Sequence, residues 1–347
     1  MEPLFFDDWI VRMNQTSTLT ELAQIKQELF SKISDDFPLK EEMDVFHLYH
    51  ILSQIHDQLT KKAVSFAEKQ TKEEKIGLPP ERYAWLTMGS GGRKEQTNRA
   101  DQDNGLIYCI GKNQNQEQVE RFVQRFAELA VNNLMELGYP LCQGNVMATN
   151  PRWQKTFNGW KETITSFLDQ DSMNDIRYIF IAADFRVVYG DQELGDQLRE
   201  WMLTFIQNNS RLLKRIANHV LSYEIPLGLF SQFYTERWGP YAGQFDLKYG
   251  AYIPWLNIIH WFSFFAGIKE TTIIDRLIIL RDKGIISRKE FQIAIHSFTV
   301  LLRLRFNSPF HHIDPKQLTS SERVELKKTL RGIKKLRRRI RILSYGT

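Results

Sequence analysis

Apolar side chains recur at intervals of three and four from Phe5 to about Lys75, at Leu22, Ile25, Leu29 and Ile33 and again at Val45, Leu48, Ile51, Leu52 and Ile55. That period keeps them on one face of a helix, so residues 1–76 read as an N-terminal helical region. Gly77-Leu78-Pro79-Pro80 ends it, because paired prolines cannot continue a helix and favour extended backbone. Tyr83 to Met88 then predicts a short apolar strand and Asn104 to Ile110 a second, with a polar, glycine-rich stretch between them. A helix is expected from Glu117 to Leu137, closed by Gly138. Val146 to Thr149 and Phe180 to Val188 predict later strands, separated by a helix over Trp160 to Gln170. Past Asp191 the helical period returns in Leu198 to His219, Pro254 to Ala266, Thr272 to Arg281, Arg288 to Arg305 and Ser321 to Ile342. The last of these follows Thr319-Ser320-Ser321-Glu322, which has capping-box spacing. The pattern therefore predicts an α+β chain: helices over 1–76, a mixed α/β domain over 77–191, and a C-terminal helical domain over 192–347 that would bind the acceptor of any reaction carried out by the middle domain.

Composition refines this picture. With 347 residues, 42% of them hydrophobic and 25% charged, the chain can bury a sizeable core in two or three units. Two cysteines, Cys109 and Cys142, are too few for a disulfide framework, and each lies among apolar residues where a buried thiol is expected, so the compartment reads as reducing. The first eight residues carry acids where a secretory leader carries Lys or Arg, and a cytoplasmic location is expected. The most apolar window, Tyr252 to Ile268, is interrupted by Asn257, His260 and Ser263 and falls short of the roughly 20 residues of a membrane span. It reads as a buried helix, and no membrane association is expected. The net charge of +5 is concentrated in nine Lys and Arg residues between Lys327 and Arg341. Leu326, Leu330, Ile333, Leu336 and Ile340 run through them at helical spacing, so a packed helix with a solvated basic face is the first reading and a nucleic-acid or acidic-partner surface the second. The aromatic residues from Phe230 to Phe265 read as helix-packed core, with a base or acceptor pocket as the alternative. His311-His312-Ile313-Asp314, between Pro309 and Pro315, lacks partner histidines at ligand spacing and reads as a loop.

The chemistry lies between the two predicted strands, in Met88-Gly89-Ser90-Gly91-Gly92-Arg93 and, about ten residues on, Asp101-Gln102-Asp103-Asn104. Three glycines and a serine directly after a strand let backbone approach a triphosphate closely, and the amides that open a following helix favour negative charge. A plain turn is the competing reading. Asp101 and Asp103 flank one residue at the entry to a strand, where period-two geometry sends both carboxylates to one face. Two such groups repel unless a cation sits between them, and Mg²⁺ suits hard oxygen ligands shared with phosphates. An Asp-rich loop is the alternative.

The ordering of strand, Gly-Ser turn, Asp-x-Asp and strand resembles the polymerase-β-like nucleotidyltransferase superfamily, which includes the PII-protein uridylyltransferase. The chain is more closely similar to a bacterial family of signal-transduction nucleotidyltransferases often found behind CBS domains. This likeness extends over Gly89 to Tyr108, Gly144 to Trp153, Asp184 to Asp191, Phe245 to Lys248 and Leu301 to Arg305, and on into the last helix. It implies transfer of UMP or AMP from an NTP to an acceptor with release of pyrophosphate, assisted by two bound Mg²⁺ or Mn²⁺ ions. It assigns metal binding and catalysis to Asp101, Asp103 and a third carboxylate, for which Asp184 is the candidate. Gly89, Ser90, Gly91 and Gly92 would hold the phosphates; Arg93 would either join them or pair with Glu95; Asn104 and Arg186 would support the site from behind. The acceptor implied is a signalling protein, with a small molecule or an RNA end as the alternative and a non-catalytic nucleotide sensor as the third reading. Two departures stand out: Gln102 replaces the usual apolar residue, and Ala100 the serine common in the uridylyltransferases. No His-Asp phosphohydrolase, ACT-like or CBS segment is found in these residues.

Overall fold

The computed structural model describes residues 3–36, 42–169, 173–308 and 311–346. Three helices open the chain, α1 (Pro3–Gln15), α2 (Leu19–Asp36) and α3 (Glu42–Glu74). There follow β1 (Arg82–Thr87), a single helical turn α4 (Gly89–Gly92), β2 (Asn104–Cys109), α5 (Gln116–Glu136), β3 (Gln154–Thr156), α6 (Phe157–Asp169), α7 (Met173–Ala183) and β4 (Arg186–Gly190). The remainder comprises α8 (Gln192–Gln207), α9 (Ser210–Ser222), β5 (Phe245–Asp246), a π-helical turn at Lys248–Tyr252, α10 (Ile253–Ala266), α11 (Ile273–Asp282), α12 (Arg288–Asn307), β6 (His312–Ile313) and α13 (Ser320–Tyr345). The chain is thus α+β, with a small sheet among helices and helical regions before and after it. It divides into two compact units, Met1–Gln170 with Ile181–Met202, and Asp171–Phe180 with Leu203–Thr347.

In the first unit the sheet order is β3-β2-β1-β4. The neighbours of β1 are both antiparallel to it, and β3 runs parallel to β2. The register places Thr87 opposite Asn104 on one side and opposite Arg186 on the other. Hence the turn after β1, the acidic segment before β2 and the residues leading into β4 all meet at one end of the sheet. Helix α5 covers a sheet face because its apolar stripe, including Val119, Phe122, Val123, Phe126 and Ala130, is fully buried. Phe126 packs edge-on to Tyr83 and Trp85 at 5.7 and 6.0 Å between ring centroids. Asn115 caps the start of α5 by accepting from the Gln118 amide, and Gly138, at φ +79°, takes the left-handed step that ends it. Burial of each such large apolar side chain contributes about 1.5–3 kcal/mol, so this stripe, far more than any helix propensity, holds α5 in place.

Several predicted elements differ in the structure. The run 180–188 is helix to Ala183 and strand only from Arg186. Tyr178 to Ala183 is a continuous apolar run that reads as strand, whereas burial follows the helical spacing Ile176, Ile179, Phe180 and Ala183, with Arg177 exposed and Tyr178 and Ile181 half-buried. Residues 146–149 form turns, tethered to β2 by Asn104 N–H donating to Val146 O (3.0 Å) and by the Ala148 amide donating to Asn104 Oδ1 (2.8 Å). One of those bonds ends on a side chain, so no ladder forms. The helix expected over 198–219 is two, broken at Asn208-Asn209, where the Asn209 side chain caps α9.

In the second unit α10 is buried along nearly its whole length, as the apolar window predicts. Among the described residues no helix is long and apolar enough to cross a membrane. Helix α13 carries the predicted capping box, Thr319 with Glu322, and buries Leu326, Leu330, Ile333, Leu336 and Ile340. Part of its basic face is structural: Lys334 Nζ donates to Leu227 O (2.7 Å), Arg337 to the carbonyls of Tyr223 and Leu221, and Arg331 to Ser231 Oγ (2.6 Å).

Candidate active site

At the end of the sheet where Thr87, Asn104 and Arg186 align, β1 gives way to α4. Gly89 has φ +54°, a left-handed conformation that disfavours any side chain, and a Cβ there would lie 2.4 Å from Asp103 Oδ2. A Cβ on Gly92 would lie 1.3 Å from the carbonyl oxygen of Asp184, where none can fit. Two glycines of the motif are thus required by close approach: one admits the Asp103 carboxylate, the other the chain entering β4. The turn is drawn tight by Gly92 N–H donating to Met88 O and Arg93 N–H to Gly89 O. In a first helical turn the leading amides have no acceptor behind them, which here applies to Gly89, Ser90 and Gly91. Ser90 alone among the four motif residues is partly exposed.

The opposite wall is the segment 101–104. Residues alternate as expected: Asp101 is exposed and Asp103 half-buried, while Gln102 and Asn104 are 3% exposed and turn inward. Gln102 Nε2 donates to the carbonyls of Val131 and Tyr139, both at 3.1 Å, and Gln102 Oε1 accepts from Asn104 Nδ2. The departure from an apolar residue at 102 therefore has a structural purpose, since the amide ties the acidic segment to the end of α5. Met88 N–H donates to Asp103 O at 2.8 Å, joining this wall to the turn.

Asp101, Asp103 and Cys142 each present one ligand atom, all within 4.8 Å of one another. The Cys142 thiol is hydrogen-bonded to Asp103; burial, followed by the Asp103 charge, pushes it up to about 12, so it is protonated at neutral pH. Sulfur is in any case a soft donor, poorly matched to a hard cation that prefers oxygen. The two carboxylates alone fit Mg²⁺ or Mn²⁺, which bind through one or two acids and complete their shells with water and phosphate.

Asp184 is placed differently. Its carboxylate is 1% exposed and accepts from Arg93 Nη1 at 2.5 Å, while Arg93 Nε donates to Glu95 at 2.9 Å. Arg93, itself 7% exposed, pairs with Glu95 as one of the two sequence readings had it, and with Asp184 as well. The structure brings Asp101 and Asp103 together, and brings Asp184 to Arg93. Arg186 lies directly beneath the turn: Nε donates to Gly92 O (3.1 Å), Nη2 to Gly91 O (2.9 Å), and the guanidinium grips Asp57 of α3 through two bonds of 2.8 and 3.0 Å. It secures the carbonyl side of the motif while leaving the amide side open.

Residues that the sequence pattern does not reveal complete the frame. His56, buried in α3, accepts at Nδ1 from Tyr139 Oη (2.8 Å), and its Nε2 lies 3.0 Å from Thr97 O. A carbonyl only accepts, so Nε2 carries the proton. This imidazole holds the loop between turn and carboxylates against α3. Cys142 and Asp57 are likewise tertiary neighbours whose local sequence carries no signal.

A Gly-Ser turn facing a pair of carboxylates across the end of a small mixed sheet, with helices around it, defines a nucleotidyltransferase. The family model described as "Putative nucleotidyltransferase DUF294" matches residues 37–174, and that described as "Putative nucleotidyltransferase substrate binding domain" matches residues 210–342. The chain belongs to this nucleotidyltransferase family. The comparison with curated proteins gives no match.

Proposed function

We propose that the chain transfers a nucleoside monophosphate, UMP or AMP, from an NTP to a protein acceptor. The observation that supports this reading is the close approach of Gly89 to Asp103, where backbone of the kind that binds phosphate faces carboxylates of the kind that bind a cation. Ser90 and the leading amides of α4 hold the β- and γ-phosphates. Asp101 and Asp103 hold the divalent cation, whose chemistry is to neutralise phosphate charge and stabilise the attacking and leaving oxygens. An acceptor hydroxyl attacks the α-phosphorus, the bond from that phosphorus to the bridging oxygen breaks, and pyrophosphate leaves. A site carboxylate takes the hydroxyl proton. Asp184, buried and paired with Arg93, which also holds Glu95, sets the position of the turn.

The C-terminal unit supports a protein acceptor. It matches a substrate-binding domain, and it exposes Leu229 (97%), Phe230 (92%) and Trp238 (86%), apolar groups of the kind a protein partner buries. Three cations of the basic helix are engaged within the unit, which weakens the case for an RNA acceptor. Both cysteines are free thiols, in keeping with a cytoplasmic setting.

The test is incubation with each labelled NTP and Mg²⁺ or Mn²⁺, with and without cell lysate, comparing wild type with D101A/D103A. A protein band labelled by wild type alone is the expected outcome. Pyrophosphate release without labelled protein would move the acceptor to a small molecule. Nucleotide binding with neither product would replace transfer by sensing.

A further inference from the structure

The C-terminal unit carries a second group of metal-ligating side chains, unrelated in sequence to the Asp101–Asp103 pair. Strands β5 and β6 are antiparallel, with Phe245 opposite Ile313 and Asp246 opposite His312. Phe245 and Ile313 are buried, so strand alternation turns Asp246 and His312 to the other face, where both are half-buried. A third segment reaches the same face. Glu236 N–H donates to Gln244 O and Gly243 N–H to Glu236 O, both at 2.8 Å, which folds the 236–244 loop back and brings Glu236 beside β5. One ligand atom each from Glu236, Asp246 and His312 lies within 4.8 Å of the others.

The orientations are set from outside the group. Asp246 Oδ1 accepts from the Tyr249 amide at 2.8 Å, which turns Oδ2 toward His312. The Tyr241 ring stacks on the imidazole, 3.9 Å between centroids and 4° between planes. His312 Nε2 and Asp246 Oδ2 are 3.9 Å apart. That is too long for a hydrogen bond, and two bonds of roughly 2.1 Å meeting at a tetrahedral ion span about 3.4 Å, so the pair closes onto a shared ion with a shift of about half an ångström. Two carboxylates also balance a 2+ charge, and one imidazole nitrogen beside two oxygens suits a borderline transition ion better than Mg²⁺ or Ca²⁺, which take oxygen throughout.

We propose that Glu236, Asp246 and His312 form a divalent metal site of the zinc class, with its remaining positions open to water. The ion ties together the 236–244 loop, β5 and β6, adding to their short backbone ladders and to the stacking of Tyr241 on His312. The site stands apart from nucleotidyl transfer and does not depend on that reading.

The experiment uses the full chain as D101N/D103N/C142S, so that the first site contributes no ligand, stripped with EDTA and titrated with Zn²⁺ by calorimetry and thermal unfolding. One Zn²⁺ per chain and a raised Tm are expected, because an ion that binds only the folded state stabilises it. Adding H312A or E236Q weakens binding on the order of tenfold or more while leaving the EDTA-treated Tm near the parent's. Co²⁺ in place of zinc gives visible bands that vanish with H312A. If H312A does not fold, E236Q, at an exposed position, carries the test. Absence of zinc binding at micromolar concentrations, or binding that survives both substitutions, overturns the proposal.

Discussion

Asp103 is constrained from three directions: its carbonyl accepts the Met88 amide, its carboxylate accepts the Cys142 thiol, and Gly89 leaves the space into which that carboxylate fits. The loop bearing it is anchored in turn by His56, and this anchor titrates. Burial first, and then the positive charge of Lys26, hold the imidazole at about 3. The unfolded chain returns it to about 6.5, so protonation favours unfolding. The contribution is complete above pH 6.5 and is lost as pH falls from there toward 3; at pH 5 the loss is about 2 kcal/mol. Urea unfolding at pH 7.5 and 5.0 should therefore show a larger fall in stability for wild type than for H56Q, and equal falls would show that His56 is not the group responsible. At this scale the sequence discloses residues whose roles follow from their neighbours in the chain. Asp101 and Asp103 share a face because strand geometry has a period of two. Cys142, Asp57 and His56 are brought in by tertiary folding, and no local pattern marks them. Gln102 is conspicuous only as a departure, and only its bonds to the Val131 and Tyr139 carbonyls explain it.

Within α4 two glycines serve different ends, and substitution separates them. In G89A the new methyl meets the tip of the Asp103 carboxylate, a side chain that can turn aside at the expense of its Cys142 contact, and the left-handed backbone costs about 1–2 kcal/mol. The fold is expected to survive, while Mn²⁺ affinity, read by electron paramagnetic resonance, falls on the order of tenfold. In G92A the methyl meets the Asp184 carbonyl, which is main chain and cannot swing aside. There the expected result is a drop in thermal midpoint equivalent to 3 kcal/mol or more, roughly the upper end for overpacking. Wild-type Mn²⁺ affinity in well-folded G89A would remove Asp103 from the metal site. The legibility of elements follows the same division between local and tertiary causes. β1, β2 and α5 are plain in the sequence because turns and caps bound clear periods. Helix α7 reads as strand because Tyr178 to Ala183 is apolar at every position, including the half-buried Tyr178 and Ile181, and β3, three polar residues long, has no alternation to read. Residues 312–313 read as loop since the partner strand lies more than sixty residues earlier in the chain.

Chain order and compactness part company in the whole molecule. Residues Asp171–Phe180 belong with Leu203–Thr347, whereas the intervening Ile181–Met202 belong with the first unit. The composition shift near Asp191 that marks the start of the C-terminal helices in the sequence cannot register this, because the exchange takes place inside α7 and α8. Phe180 shows what the exchange supplies. Its ring stacks on Phe264, 6.1 Å between centroids and 2° between planes, and lies 5.1 Å from His260 and 5.9 Å from His219. Ile176 and Ile179 are buried beside it in sequence. Removing a buried phenylalanine costs about 3–5 kcal/mol, a large share of the roughly 5–15 kcal/mol by which a domain is stable. F180A in the full chain should therefore lower the free energy of unfolding by that amount, read as a lower denaturant midpoint at an unchanged slope. A fragment beginning at residue 192 or 203, which loses all three side chains, should bind a hydrophobic dye and aggregate, whereas one beginning at 171 keeps them and should stay soluble. Equal solubility and equal unfolding midpoints for the three fragments would show that residues 171–180 are dispensable to the C-terminal unit.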